Sequence, residues 1–211
     1  MRILFFGDSI TQGFWDTAGG WVDRIRKDYD RRQIEDLEGH DEPTVFNLGV
    51  SANKSVDVLK RMRNEIEARR YPGEKFTLVF SVGVNDTYEK EGKTNTSLEE
   101  FTGNIKAIIK LAREFSTKIL FVGLTGVDEA RTCPVFWDTN FWTNAKISSF
   151  DKVLEQVVAA EGISFVPVFE LFKDKPELLA DGLHPNDKGH ELIANTVKPQ
   201  LEVLLSKQDQ Q

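Results

Sequence analysis

Five residue types, set apart along the chain, are able to do acyl-transfer chemistry together. The first is Ser9 in Gly7-Asp8-Ser9-Ile10-Thr11-Gln12-Gly13, a hydroxyl directly after a short apolar run. Asn85 follows in Gly83-Val84-Asn85-Asp86, and its amide can donate to a developing oxyanion. Gly49, in Asn47-Leu48-Gly49-Val50-Ser51, lets a backbone N–H approach a ligand with no side chain in the way. Near the C-terminal end, Asp181-Gly182-Leu183-His184-Pro185-Asn186 puts a carboxylate three residues before a histidine. A carboxylate so placed can reach one ring nitrogen, fix the tautomer and leave the other nitrogen facing a serine. Taken singly, each residue also has an ordinary structural use. Asp8-Ser9 reads as a helix cap, Gly49 as a turn glycine, Asn85 as an Asx-turn and Asn186 as a cap beside a loop histidine.

The elements that must position these residues alternate. Short apolar runs occur at Ile3–Phe6, Val45–Leu48, Leu78–Val82, Ile119–Val122 and Phe165–Val168, bounded by Gly, Pro, Asn or Asp. Between them the apolar residues recur at helical spacing: Val22, Ile25 and Tyr29; Leu59, Met62 and Ile66; Phe101, Ile105, Ile108, Ala112 and Phe115; Ile147, Phe150, Leu154 and Val157; Ile193, Val197, Leu201 and Leu204. Ser97 with Glu100 is a capping box. Asp86 is expected to cap the segment that follows it, and Pro199 to kink or locally frustrate the last helix. The βα order predicts a parallel sheet covered by helices on both faces, with ligands beyond the carboxyl ends of the strands. Ser9, Gly49, Asn85 and the Asp181/His184 pair all fall beyond such ends, so all can converge on one pocket.

These blocks resemble the SGNH hydrolase superfamily, also called the GDSL esterases and lipases. The resemblance runs from Gly7 to Pro185 in the family's order, with Ile10 where the family name has leucine. It implies a flavodoxin-like three-layer α/β/α sandwich with a five-stranded parallel sheet. It implies Ser9 as nucleophile, His184 as base and Asp181 as orienting acid. The Ser9 N–H, the Gly49 N–H and the Asn85 side chain would form the oxyanion hole. No metal or organic cofactor is needed for such a mechanism. No Gly-x-Ser-x-Gly elbow is present, so the α/β-hydrolase fold matches less well.

Composition narrows the partners. With a net charge of −7, the chain has no excess of cations for nucleic acid or an anionic membrane surface. No apolar run approaches the roughly 18 residues that span a bilayer. The N-terminus lacks a signal peptide's apolar stretch, and the single cysteine, Cys133, excludes an intrachain disulfide; both fit a cytoplasmic protein. One domain is expected over residues 1–205, with a polar tail at 206–211 and His40 in an exposed loop. The oligomeric state stays open.

The substrate is expected to be a small ester. Segment 123–144 is long and aromatic, and its Phe136, Trp137, Phe141 and Trp142 are candidates for one wall of a site. Phe14, Trp15 and Trp21 are candidates for the opposite wall, with core or interface packing as the equal alternative. The lack of a lid-like apolar helix points to short acyl esters, acetylated carbohydrate among them, over insoluble lipid. Two other classes compete. A metal-dependent phosphoesterase would use Asp8, Asp86, Asp181, His184 and His190. A non-catalytic flavodoxin-like module would bind phosphate at Gly7–Gly13.

Overall fold

The structure is a computed structural model, and it describes residues 1–39 and 42–206. His40 and residues 207–211 lie outside the described residues, so the expectations for an exposed His40 and for all of the 206–211 tail but Ser206 concern positions beyond them; Ser206 ends the last helix. Five parallel strands form one sheet: β1 (Arg2–Gly7), β2 (Thr44–Gly49), β3 (Phe76–Ser81), β4 (Lys118–Val122) and β5 (Ser164–Val166). Their spatial order is β2-β1-β3-β4-β5. The chain builds outward from β1 to β2, then crosses back and builds the other way from β3. That reversal puts the ligand crevice of an open α/β sheet beyond the carboxyl ends of β1 and β3.

The strands are apolar on both faces because helices cover both. Ile3, Leu4, Phe5 and Phe6 are fully buried, as are Leu78, Val79 and Phe80. The register sets Phe6, Phe80 and Phe121 side by side, and their rings stack at 5.4 and 4.9 Å. Phe5 instead meets Trp21 edge-on at 5.3 Å. Each such fully buried ring contributes roughly 1.5–3 kcal/mol. Trp21 is therefore core, which is the second of the two alternatives given for it.

One helical layer pairs α2 (Gly20–Glu35) with α8 (Asp187–Ser206); the other packs α3 (Ser55–Glu67), α4 (Leu98–Ala112) and α6 (Asn144–Ala160) side by side. The arrangement is the expected three-layer α/β/α fold. The capping box is present: Ser97 Oγ accepts from Glu100 N–H, and Glu100 Oε2 accepts from Ser97 N–H. Helix α8 continues through Pro199 rather than ending there. Pro199 and Asn195, whose carbonyl loses its helical donor, are both exposed, so water can serve that carbonyl.

Other differences have local causes. The fifth strand stops at Val166, because Val168 already precedes the short helix α7 (Phe169–Phe172). A small hairpin pairs Glu89–Lys90 with Lys93–Thr94 around Glu91 and Gly92, both at positive φ. Phe141 bridges to Glu89 of that hairpin, which ties segment 123–144, with its one-turn helix α5 (Glu129–Thr132), to the loop after β3.

Candidate active site

Short backbone devices bring the chemistry to the switch point. Gly7 ends β1, and Asp8 caps the one-turn helix α1 (Ser9–Gln12) by accepting from Ile10 N–H at 2.9 Å. Ser9 is thereby the first helical residue, and its N–H has no acceptor among the described residues. On the far side, Asn186 Oδ1 accepts from Lys188 and Gly189 N–H, so it caps α8 as expected. The loop Asp181–Pro185 leads into that cap.

Ser9 Oγ lies 2.9 Å from His184 Nε2, and His184 Nδ1 lies 2.7 Å from Asp181 Oδ2. Asp181 Oδ1 accepts from the N–H groups of Leu183 and His184 at 2.9 and 2.8 Å. Burial alone would raise the Asp181 pKa. The hydrogen bonds and charge of His184, with the Leu183 N–H, outweigh it and hold the carboxyl well below the usual range. An ionised carboxylate only accepts, so Nδ1 carries the imidazole proton and Nε2 is left to accept from Ser9. The sequence-predicted trio thus forms one hydrogen-bonded chain. The Oδ2 atom accepts a second donor that the sequence did not suggest, Trp15 Nε1 at 2.8 Å.

Ser9 and His184 open into a cavity of about 310 Å³ that also touches Ser51, Ala52, Lys54, Asn85, Tyr88, Trp137 and Trp142. Asn85 is held by its neighbours. Its Nδ2 donates once, to Asn53 O at 3.2 Å, and its backbone carbonyl accepts from Asn95 Nδ2 at 2.9 Å. The amide keeps a second proton. Arg61 braces the ends beneath, donating to Gly7 O, Leu48 O and Asn53 Oδ1.

Gly49 departs from expectation. It does not border the cavity, and its N–H donates to Asn47 Oδ1 at 3.0 Å. Its missing Cβ serves packing, since one there would fall 2.2 Å from Gln12 N. Three residues on, Ala52 does border the cavity. It sits at φ 63°, and its N–H has no acceptor among the described residues. No glycine marks this turn; only the cluster Ser51-Ala52-Asn53 hints at it.

The aromatic candidates separate. Trp137 and Trp142 border the cavity, and the Trp137 ring lies 6.1 Å from that of His184. Trp142 is buried, donating to Val84 O at 3.1 Å, and packs on Tyr88. Trp15 and Phe136 border a second, open groove of about 960 Å³ with Arg131, Pro134 and Asp181. Phe136 meets Trp137 edge-on at 4.8 Å, so this pair joins groove to cavity. Phe141 borders neither; its backbone is paired to Glu89. Phe14 packs on His184 at 5.6 Å without reaching the cavity.

Of the carboxylates and histidines of the metal reading, Asp181 and His184 pair with each other, and the five do not come together as one ligand set. Asp86 does not cap the segment after it; it reaches across to Ser55 N–H and Oγ at 2.8 and 2.6 Å, anchoring the start of α3. His190 uses both ring nitrogens on backbone, at Phe14 O and Trp21 N–H. No group of three or more metal-ligating side chains occurs among the described residues.

A serine, histidine and aspartate in hydrogen-bonded series at the switch point of a parallel α/β/α sheet have the geometry that a hydrolase of the serine type requires. The chain belongs to the GDSL-like lipase/acylhydrolase family, whose model matches residues 5–192. It is an esterase/acylhydrolase of that type. It is 23% identical to the isoamyl acetate-hydrolyzing esterase of Saccharomyces cerevisiae, over 91% of this chain and 82% of the yeast one. Its fold matches a lipase/acylhydrolase from Enterococcus faecalis with a TM-score of 0.74 and 24% identity, over 100% and 98% of the two chains. It likewise matches an acetylxylan esterase from Geobacillus stearothermophilus, at TM-score 0.72 and 18% identity over 95% and 93%. No helix among the described residues is long and apolar enough to cross a membrane.

Proposed function

We propose that this esterase cleaves short-chain carboxylic esters, acetyl esters foremost, through an acyl-enzyme on Ser9. The observation that carries the reading is the unbroken series Asp181 Oδ2, His184 Nδ1, His184 Nε2 and Ser9 Oγ, ending in an aromatic-walled cavity. Ser9 Oγ attacks the ester carbonyl carbon, and its proton passes to His184 Nε2. Asp181 stabilises the imidazolium through Nδ1. The oxyanion is received by the N–H groups of Ser9 and Ala52 and by the free proton of Asn85 Nδ2. The carbon–oxygen bond to the alcohol then breaks as His184 returns its proton to the leaving oxygen. Water adds to the acyl-enzyme with His184 taking its proton. The acid departs, and Ser9 regains its hydrogen. Ala52 takes the role that the motif suggests for Gly49, because the Gly49 N–H is held by Asn47.

The two hollows suit the two halves of an ester. The 310 Å³ cavity at Ser9, walled by Tyr88, Trp137 and Trp142, receives the acyl group. The larger groove, bordered by Trp15, Pro134 and Phe136, receives the alcohol. Two relatives support an acetyl group with differing alcohols: one is named for isoamyl acetate, the other for acetylxylan. A negatively charged chain fits a neutral small-molecule ester and no nucleic acid partner.

The test is a series of p-nitrophenyl esters from acetate through butanoate and octanoate to dodecanoate. Isoamyl acetate and an acetylated xylo-oligosaccharide join the series, and each substrate is run on wild type and Ser9→Ala. The highest kcat/KM is expected for acetate or butanoate, with no turnover by Ser9→Ala. A maximum at dodecanoate would refute the acyl assignment, and an active Ser9→Ala protein would refute the mechanism.

A further inference from the structure

We propose that Trp15 is a positioning residue of the hydrolytic site: its indole N–H holds the Asp181 carboxylate in the orientation that His184 requires. The inference rests on the reading of Ser9, His184 and Asp181 as the catalytic series and adds a fourth member to it.

The indole is not placed by burial. Trp15 is 60% exposed, whereas a tryptophan that serves packing is hidden, as Trp21 is in this chain. Its backbone stands at φ 66°, a left-handed conformation that bulky L-residues avoid. An exposed ring on unfavourable backbone calls for a compensating contact; beside a tilted packing on Phe14 at 6.0 Å, the hydrogen bond to Asp181 is the polar contact it makes. The turn that delivers it is anchored on the nucleophile itself. Ser9 O accepts from both Gly13 and Phe14 N–H, at 3.0 and 3.1 Å, and the chain then turns to present Trp15. Trp15 thus spans from the element carrying Ser9 to the distant loop carrying Asp181.

The carboxylate shows what the bond does. Asp181 has room for about four donors. Leu183 and His184 N–H occupy Oδ1; His184 Nδ1 and Trp15 Nε1 occupy Oδ2. Both backbone donors sit on Oδ1, so they leave the carboxylate free to swing Oδ2 about that edge. Trp15 removes the freedom by gripping the very oxygen that orients the imidazole. Asp181 also borders the open groove, and Trp15 Nε1 takes a place on Oδ2 that water from the groove would otherwise compete for. Orientation of the base matters in the transition state more than in substrate binding, so the effect belongs in kcat.

The experiment compares wild type and Trp15→Phe with p-nitrophenyl acetate, counting active sites with a serine-directed fluorophosphonate. Phenylalanine keeps a ring and loses only the donor. A charged hydrogen bond of this kind predicts a fall in kcat of roughly 10-fold with KM unchanged. A wild-type kcat overturns the proposal, and so does a raised KM alone, which would make Trp15 merely a wall of the groove. A second measurement uses the folded wild type. The Trp15 indole N–H resonance should be shifted downfield and protected from exchange, and Asp181→Ala should abolish both properties. Free exchange in the wild type overturns the proposal even if Trp15→Phe fails to fold. Turnover by Ser9→Ala would overturn the catalytic series itself; a dead Ser9→Ala beside an unimpaired Trp15→Phe removes only the role of Trp15.

Discussion

The loop Asp181–Asn186 and the first turns of α8 each carry a buried histidine, and the two rings are held in opposite ways. His184 is bound on both nitrogens by side chains, one of them a hydroxyl able to give up its proton. His190 is bound on both nitrogens by backbone: Nε2 to Phe14 O at 2.9 Å, and Nδ1 to Trp21 N–H at 3.3 Å. Burial lowers the His190 pKa, and its neutral ring joins α8 to the turn after α1 and to the start of α2. Were it to take a second proton, a buried N–H would face a buried N–H. The same division runs through the carboxylates. Asp181 addresses the imidazole, while Asp8 caps α1 and Asp86 anchors α3. Residue type is therefore a poor guide to chemistry here. The site proposed here draws on residues that border a cavity and keep an unused donor: the Ser9 N–H, the Ala52 N–H and the second Asn85 proton.

Exchanging the histidines for alanine gives the largest expected effect and the sharpest contrast. His184→Ala should lower kcat by roughly 10⁴-fold while its urea midpoint stays near that of wild type. His190→Ala should do the reverse. One buried and one half-buried backbone group lose their partner, so stability should fall by roughly 2–4 kcal/mol in urea titration. Activity per folded molecule should stay within about tenfold of wild type, far above that of His184→Ala. A folded but inactive His190→Ala protein would break the comparison. Next in size is Asn85→Ala, expected to cost roughly 10²–10³ in kcat by loss of one oxyanion donor. A loss below about tenfold would remove Asn85 from the hole.

The smallest effects are on stability. Ala52→Gly should stabilise the fold by about 1 kcal/mol, since glycine adopts φ 63° without the penalty alanine meets. Asp8 sharpens the contrast through pH. Burial chiefly raises its pKa, against the Ile10 N–H and the charge of His184, to about 6 from an ordinary 3.8. A raised folded-state pKa contributes stability that is present below 3.8 and lost as pH rises through 6. Asp8→Asn keeps a capping oxygen and should raise the Tm relative to wild type at pH 8, with the difference vanishing by about pH 4. His190 acts in the opposite sense. Its lowered pKa means that the unfolded chain takes up the proton first, so its contribution is lost as pH falls below 6.5.

Much of this was legible in the sequence, for identifiable reasons. The five strands announce themselves because sheets covered on both sides need continuous apolar runs, as in Ile3–Phe6. Ser9, His184 and Asp181 are legible because the strand ends and the short Asp-to-His spacing constrain them. What escaped depends on direction rather than on type. Trp21 and Trp15 look alike in sequence, yet one fills the core against Phe5 and the other grips Asp181. Gly49 invited a ligand role by lacking a side chain, but the lack admits Gln12 instead. Ala52 carries only the weak signal of its Ser51-Ala52-Asn53 cluster, because alanine rarely adopts the left-handed turn it occupies. Asp86 looked local and proved long-range, since its partner Ser55 lies on another helix.

The claim at the centre is that Ser9 carries the acyl group. It is tested most directly by acid-quenching the enzyme during turnover of an acetyl ester, then measuring intact mass and mapping the peptides. The account predicts one added acetyl group, confined to the peptide containing Ser9 and absent from Ser9→Ala. An acetyl group on another residue, or undiminished turnover by Ser9→Ala, would contradict it.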